Sequence, residues 1–451
     1  MKTLLIIAGS DPGAGAGLQQ DLKTATLLGV YGLTVVTALT VQNTRGLWSV
    51  HPVAPELVAA QLDAVLQDFP IDAVKIGMVG SGANAAVVAA RLRDLPELPL
   101  MVLDPVLAAG QGGALLPDAD LEALTIGLFP LATLLTPNVP EAARLTGLAI
   151  DTPAALEDAA RRLAARGPRW VLAKGGHLPG PPVDILTDGR NAHHLEGKRL
   201  PAPNHHGSGC LLATALAAHL ARGLAVPEAV NEARRLVVQA LRHGLPLGGG
   251  PGPVNPYAPF ARELGRYQVL TELAAAGERL VREDLSPLIP EVMSNLAYAA
   301  PYPEGPEDVA AFPARILKTP GGTLIPAAPA FGAVPELAAL LLTVMAHHPT
   351  RRAAIRVKCY PDIGRIAPLL HWRALEVPSS PPAPGAEPDA APLQAMAQAL
   401  APRTPTEPPP DILYFQGDKG KAAVMYILGE NPVQAAERAL ALKQALRAAG
   451  H

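Results

Sequence analysis

The sequence predicts an α/β protein: a mostly parallel sheet with helices on both faces, followed by a second, smaller α/β domain. Three observations point there. Over residues 1–245, short apolar runs alternate with helical patterns, and continuous apolar strands belong to sheets buried on both faces. Those runs stop in polar or glycine-rich segments. A Gly- and Pro-rich stretch then breaks the pattern before a new helical segment begins.

Residues 3–8 are the first strand. Leu18, Leu22, Ala25 and Leu28 follow at helical spacing. Residues 33–39 read as a second strand, 55–66 as a helix and 73–76 as a third strand. Strands at 100–103 and 133–135 end in Asp104-Pro105 and Thr136-Pro137-Asn138. A strand at 170–173 ends in Lys174-Gly175-Gly176. Helices are expected at 153–165, 209–222 and 227–242. In such sheets ligands bind at the carboxyl ends of the strands, where these polar residues fall. Residues 244–256 read Gly-Leu-Pro-Leu-Gly-Gly-Gly-Pro-Gly-Pro-Val-Asn-Pro, too rich in breakers for a helix or strand, so 246–258 is a predicted linker. The second domain, 259–451, opens with a helix at 260–283 and ends with one at 432–448. Between residues 378 and 410 lie 11 prolines. That spacing predicts a surface insertion with a short helix around 393–400.

Composition narrows the function. Of 451 residues, 49% are hydrophobic and 17% charged, which describes a folded chain. The net charge is −3 and aromatics are scarce, so the electrostatic and stacking features of nucleic-acid binding are absent. No apolar run approaches the roughly 18 residues of a membrane span, and a cytoplasmic protein is expected. Cys210 and Cys359 have no zinc spacing and fit a reducing compartment. The adjacent His pairs 193/194, 205/206 and 347/348 would make poor chelates, because neighbouring side chains diverge.

Three constellations carry chemistry. Ala8-Gly-Ser-Asp-Pro-Gly-Ala-Gly-Ala-Gly17 joins a strand to a helix and lets a ligand approach the backbone. It matches neither the Walker A loop nor the dinucleotide fingerprint. Its plainer reading is a tight turn. Asn204-His-His-Gly-Ser-Gly-Cys210 runs into a helix, whose N–H groups and dipole would form an anion hole for a transferring phosphoryl group. Cys210 in that first turn is expected to have a lowered thiol pKa; the plainer reading is a capped helix with a small Cys. Asp104, Asn138 with Glu141, and Lys174 lie at successive strand ends. The first three suit Mg²⁺ held through water and the lysine suits phosphate, while each alone could be an ordinary cap.

Residues 1–245 closely resemble the bacterial hydroxymethylpyrimidine/phosphomethylpyrimidine kinases of the ribokinase-like superfamily. The resemblance rests on the first glycine motif continued through Leu-Gln-Gln-Asp-Leu-Lys-Thr24, and on Thr37-Ala-Leu-Thr-Val-Gln-Asn-Thr-Arg-Gly46 and Lys75-Ile-Gly-Met78. Leu103-Asp-Pro-Val106, Thr136-Pro-Asn-Val-Pro-Glu141, Lys174-Gly-Gly-His177 and His206-Gly-Ser-Gly-Cys210 extend it. It implies ATP-dependent phosphorylation of hydroxymethylpyrimidine and then of its monophosphate. Gly9, Asp21, Gln42 and Met78 would line the pyrimidine pocket. Asp104 and Glu141 would serve Mg²⁺, and Asn138, Glu141 and Lys174 would serve ATP. Gly207, Ser208, Gly209 and Cys210 would form the catalytic anion hole. The implied partners are small molecules, with no nucleic acid and no membrane, and a homodimer is compatible with it. Use of pyridoxal-type substrates stays open.

Residues from about 285 to 447 are similar to the thiamine-phosphate synthase domain fused behind such kinases in archaea. Met293-Ser-Asn-Leu-Ala-Tyr-Ala299, Glu307-Asp-Val-Ala-Ala-Phe-Pro-Ala-Arg-Ile316 and Pro410-Asp-Ile-Leu-Tyr-Phe-Gln-Gly-Asp-Lys-Gly-Lys421 carry it. Where that family has Phe-Gly-Ala-Ser-x-His, this chain has Phe331-Gly-Ala-Val-Pro-Glu336, without the hydroxyl and the imidazole. Two other patterns depart as Gly420-Lys-Ala422 and Arg352-Ala-Ala-Ile-Arg-Val357, while Arg315 persists. Three readings follow for the whole chain: a kinase with an inactive appended domain, a bifunctional enzyme, or a kinase with a thiamine-phosphate sensor.

Overall fold

The computed structural model describes residues 1–108, 112–378, 390–401, 407–415 and 423–448. They fall into two compact units, Met1–Pro259 and Phe260–His451.

The first unit opens with β1 (Thr3–Ser10), α1 (Gly17–Leu27), the long β2 (Tyr31–Asn43) and β3 (Gly46–Pro52). Then come α2 (Pro55–Asp68), β4 (Ala73–Ile76), α3 (Gly82–Arg93), β5 (Leu100–Leu103) and α4 (Leu121–Leu128). After β6 (Leu134–Leu135) follow α5 (Val139–Thr146), α6 (Pro153–Ala164) and β7 (Trp170–Ala173). The hairpin β8 (Val183–Thr187) and β9 (Ala192–Glu196) leads to α7 (Ser208–Ala221) and α8 (Val226–Arg242). The nine strands line up as β3-β2-β1-β4-β5-β6-β7-β8-β9. From β2 to β7 neighbours are parallel, and the edges β3, β8 and β9 are antiparallel.

The core follows from the apolar strands. Leu4, Leu5, Ile6 and Ile7 of β1 are fully buried, each worth about 1.5–3 kcal/mol. The chain runs from β1 to β2 on one side and later returns to β4 on the other. That makes the carboxyl end of β1 a topological switch point, the place where open α/β sheets bind ligands.

Several expectations need correction. The second strand extends well beyond 33–39, because past the sheet it becomes a ribbon paired with β3 whose Leu39 and Val41 are exposed. The sequence reading also missed β3, α3, α4 and the β8–β9 hairpin. The predicted linker at 246–258 is not a linker, because its backbone is fastened to the first unit. Gly250 N–H donates to Thr44 Oγ1 at 3.2 Å and Gly252 N–H to Asn204 Oδ1 at 3.0 Å. His206 adds two more, its N–H donating to Gly252 O and its carbonyl accepting from Val254 N–H, both at 3.1 Å. Glycine here permits close approach: a Cβ on Gly250 would lie 1.9 Å from Thr44 O.

The second unit carries α9 (Ala258–Arg282), β10 (Asn295–Ala299), β11 (Val309–Ala311), β12 (Leu317–Thr319), β13 (Gly322–Leu324) and β14 (Ala330–Phe331). Next come α10 (Pro335–His347), β15 (Ala353–Lys358), α11 (Ile363–Leu369) and β16 (Ala374–Val377). It ends with α12 (Ala390–Leu400), β17 (Ile412–Phe415), β18 (Val424–Gly429) and α13 (Pro432–Ala448). Its main sheet runs β14-β11-β10-β15-β18-β17-β16 and is antiparallel except for β16–β17. Residues of α9 and α13 fill the core on one face, and those of α10 and α12 fill it on the other. The short helix expected around 393–400 is α12. Residues 379–389 and 402–406 of the Pro-rich stretch lie outside the described residues.

One polar pair sits inside the first unit. Lys75 on β4 and Asp21 on α1 are both fully buried, with Nζ 2.6 Å from Oδ2. Thr214 on α7 donates to the other oxygen of Asp21 at 2.7 Å. Removing one partner strands a buried charge. We therefore expect Lys75→Met to lower the urea-unfolding stability by about 3–5 kcal/mol, and a second change, Asp21→Leu, to recover most of it. A loss within experimental error would mean that the pair holds nothing together.

Candidate active site

The strand ends around the switch point bring two groups of expected residues together. The first gathers at the ends of β1, β2 and β4. Gly9, at the end of β1, touches Met78 after β4: a Cβ on Gly9 would lie 2.9 Å from Met78 Sδ. Met78 is held in turn, its carbonyl accepting from Thr37 Oγ1 at 2.6 Å. Gln42 stands near the end of β2 and donates a side-chain hydrogen bond to Asp11. Asp21, also expected in this lining, stands on α1. It is fully buried, and its two oxygens are engaged by Lys75 and Thr214.

The second group is charged. Asp104 follows β5 and is nearly buried; its Oδ1 accepts from Thr136 Oγ1 at 2.9 Å and from Lys174 Nζ at 3.0 Å. Asn138 and Glu141 form a capping box at the start of α5: each backbone N–H donates to the other's side chain at 2.8 Å. The side-chain oxygen of Asn138 is thereby committed to the helix, which leaves its NH₂, a donor suited to phosphate. Burial pushes the Glu141 carboxyl up to about 7, opposed by Lys174 and reinforced by Asp104. For Lys174, burial works against the charge, but Asp104 and Glu141 outweigh it and hold its ammonium above the usual lysine range.

The N-terminus of α7 connects the two groups. Gly207 is its N-cap at φ +82°, and no side chain caps the first turn. Gly209 overhangs the charged pair: a Cβ there would lie 3.7 Å from both Asp104 Oδ2 and Lys174 Nζ. Ser208 and the half-buried Cys210 complete the turn. The uncapped N–H groups and the helix dipole form an anion site directly above a lysine.

Cys210 overturns one expectation. Its thiol pKa is not lowered but pushed up to about 11: burial dominates, Asp21 and Asp104 add to it, and Lys75 and a backbone bond from Gly17 only partly oppose it. The helix dipole is outweighed by desolvation and two nearby carboxylates.

Among the described residues, no group of three or more His, Cys, Asp or Glu side chains is arranged to hold a metal. Asp104 and Glu141 nevertheless supply hard oxygens near the uncapped first turn of α7. Mg²⁺ needs only one or two carboxylates besides water and phosphate oxygens, so the donor set fits it. The His pairs have other uses: His194 meets Glu157 at 2.7 Å and His206 meets Asp11 at 3.0 Å. Sequence reasoning quoted Asp11, Lys75 and His206 within motifs but gave them no role, because their partners lie far away in sequence.

In the second unit, Arg315 adopts φ +63° and lies 3.3 Å from Glu336 Oε1, on the first turn of α10. Arg356 donates to Met293 O at 3.1 Å. Val334 and Pro335 bring no side-chain donor to that turn, and Pro335 lacks its N–H. Lys419, Gly420, Lys421 and Ala422 lie outside the described residues.

A doubly wound sheet with an uncapped helix over a strand-end lysine and two carboxylates is the arrangement of the ribokinase-like fold. Residues 11–255 match the phosphomethylpyrimidine kinase family and residues 272–441 match the family of thiamine-phosphate synthase ThiN. Over 255 residues the chain is 46% identical to the hydroxymethylpyrimidine/phosphomethylpyrimidine kinase of Mycobacterium tuberculosis, covering 56% of this chain and 93% of that one. It is 49% identical to the thiamine biosynthesis bifunctional protein ThiED of Geobacter sulfurreducens over 254 residues, which is 56% of this chain and 52% of that protein. Thus the chain spans about half the length of that relative. Bacillus subtilis pyridoxal kinase, solved as an ADP complex, aligns with a TM-score of 0.54 and 33% identity, covering 58% of this chain and 99% of that one. The chain belongs to the phosphomethylpyrimidine kinase family.

Glu141 makes the site sensitive to pH. Its folded pKa is raised from 4.5 to about 7, so its stabilising contribution is full below 4.5 and lost as pH rises to about 7. Its ability to hold a cation changes the opposite way, appearing as it ionises. Mg²⁺ activation should therefore weaken between pH 8 and pH 6, and Glu141→Gln should lower and flatten that dependence. Overlaying Mg²⁺ titrations for the two proteins at both pH values would reduce Glu141 to a helix cap.

Proposed function

We propose that the chain transfers the γ-phosphoryl group of ATP to the hydroxymethyl oxygen of 4-amino-5-hydroxymethyl-2-methylpyrimidine, and then a second one to the monophosphate. The observation that carries this reading is the position of the uncapped Gly207–Cys210 turn, above Lys174 and Asp104 at the switch-point edge of the sheet. The relatives named for these two phosphorylations support the choice of substrate.

The side chains divide the work. Gly9 and Met78 make a narrow apolar slot for a flat ring. Gln42 gives its NH₂ to Asp11, which turns its carbonyl oxygen toward an exocyclic amine of that ring. Asn138 and Lys174 donate to phosphate oxygens. Mg²⁺, held by Asp104 and Glu141, would supply charge neutralisation on the nucleotide phosphates. The backbone N–H groups of Gly209 and Cys210 stabilise the charge that gathers on the equatorial oxygens during transfer, which depends mainly on positioning and electrostatics. The Cys210 thiol, neutral at pH 7, lies beside the acceptor oxygen: in the first transfer it accepts a hydrogen bond from the hydroxyl, whose proton passes late to an oxygen of the transferred phosphoryl group, and in the second its S–H donates to the attacking phosphate oxygen.

Assigned so, the residues separate in kinetics. Gln42→Ala should raise KM for the pyrimidine while leaving KM for ATP near wild type, since an unpaired ring edge costs about 1–3 kcal/mol. Cys210→Ala should lower kcat for both phosphorylations and retain part of it, because the backbone donors survive. A coupled ATP-consumption assay reads both; an unchanged pyrimidine KM removes Gln42 from the site, and full activity in the alanine variant leaves Cys210 as a packing residue.

For the second unit we infer no thiamine-phosphate synthesis. Glu336 neutralises Arg315 and puts a negative charge where a phosphate would approach, and charges near a surface attract or repel by roughly 4 kcal/mol at 4 Å. The full chain given pyrimidine diphosphate, thiazole phosphate and Mg²⁺ should form no thiamine phosphate, and Glu336→His should restore some. Robust synthesis by the unaltered chain contradicts the inference and favours a bifunctional enzyme.

A further inference from the structure

Asp11 and His206 are 195 residues apart and belong to neither the ring slot nor the charged group. Asp11 closes the glycine-rich turn after β1. Its Oδ1 accepts from Gly13 N–H at 2.8 Å, and its Oδ2 accepts from Ala16 N–H at 2.8 Å and Gly15 N–H at 3.1 Å. His206 Nε2 reaches the same Oδ2 at 3.0 Å, and Gln42 donates as well. The carboxylate is 2% exposed, and both its oxygens are taken by protein donors. Burial alone would raise its pKa, yet these bonds bring it down to about 2. It is therefore a charged hub with nothing left to offer a ligand.

His206 is the residue immediately before the anion turn. Its backbone is fastened on the far side by the 252–254 segment, through bonds to Gly252 O and from Val254 N–H. Its ring lies against the first glycine-rich turn, where a Cβ on Gly15 would sit 2.2 Å from His206 Cδ2. The next residue repeats the contact: a Cβ on Gly207 would sit 1.7 Å from Gly15 O. Two glycine-rich turns thus meet without room for a side chain, and the Asp11–His206 bond joins them side chain to side chain, beside the bond from Gly17 N–H to the Cys210 thiol.

We propose that Asp11 and His206 are positioning residues for phosphoryl transfer, a latch that holds the Gly207–Cys210 turn in register with the turn after β1 and, through Asp11, with Gln42. The proposal rests on the kinase reading above. The latch touches no reacting atom. It sets where the N–H groups of Gly209 and Cys210 point, and misplacing such donors by about 1 Å can cost on the order of 10²-fold. The shared hub also ties the ring-reading amide to the anion turn, so the two are set by one carboxylate.

The full-length protein tests this with four variants: His206→Phe, His206→Gln, Asp11→Asn and the double Asp11→Asn/His206→Phe. Kinetics are normalised to the folded fraction, which near-UV circular dichroism reports. His206→Phe should lower kcat by about 10–100-fold with KM for ATP changed less than about twofold. His206→Gln, which keeps a donor, should recover part of that loss. The double variant should be no worse than the worse single one, since both break the same bond. If His206→Phe does not fold, Asp11→Asn, which keeps the volume, carries the same expectation. A second arm needs no acceptor: affinity for ADP alone should be unchanged, while affinity for ADP with aluminium fluoride, a mimic of the transferring phosphoryl group, should fall by about tenfold or more. Should the wild type bind that mimic yet phosphorylate no pyrimidine, the substrate reading fails and this arm still decides the latch. Wild-type kcat per folded molecule in His206→Phe, additive losses in the double variant, or an unchanged affinity for the mimic would each overturn it.

Discussion

Two lysines, Lys75 fully buried and Lys174 largely so, allow the first unit to carry carboxylates out of water beside its strand ends. Asp21 pairs with Lys75 at 2.6 Å and Asp104 with Lys174 at 3.0 Å, and Glu141 shares the second cation. Burial pushes the carboxyls of Asp21 and Glu141 up, and the lysines oppose that shift. With them, the edge of the sheet presents balanced charge beneath the first turn of α7, and the helix can offer its N–H groups to an anion. The helix is fastened to this row by Thr214, which reaches Asp21. Sheet, helix and charge row therefore stand or fall together, and so does the neutrality of Cys210, which burial enforces and those same carboxylates reinforce.

Much of this was legible in the sequence, for a physical reason. The central strands are mostly apolar and bounded by polar or glycine-rich segments, so β1, β4, β5 and β7 could be read from the sequence even though β4 carries Lys75. The helix start at Asn138 is legible as Asn-x-x-Glu. What could not be read are features set by distant partners. The ribbon past Leu39 is exposed on one side, so its alternation resembled a loop. The Ala-rich α3 has little amphipathic contrast. The Gly- and Pro-rich stretch after Gly244 looked like a free linker because sequence gives no sign of Thr44, Asn204 and His206 waiting to bond it.

The site divides the same way. The glycine turns and the residues after β5, β6 and β7 could be placed at one edge from their order. The role of Asp21 could not: its partners Lys75 and Thr214 lie 54 and 193 residues away. Nor could the direction of the Cys210 shift, since a helix N-terminus predicts a lowered thiol pKa and only the packed structure shows two carboxylates and little water beside it. The second unit shows the converse case, where Arg315 is kept and Glu336 has closed upon it.

The central claim is that one anion turn serves two successive transfers to a pyrimidine. The most direct measurement is ³¹P NMR of the full-length protein with hydroxymethylpyrimidine, ATP and Mg²⁺ through a complete time course. The account predicts a monophosphate that rises first and is then consumed as a diphosphate appears, with two ATP converted to ADP per pyrimidine. ATP turnover that releases only inorganic phosphate, or transfer to pyridoxal with none to the pyrimidine, would contradict it.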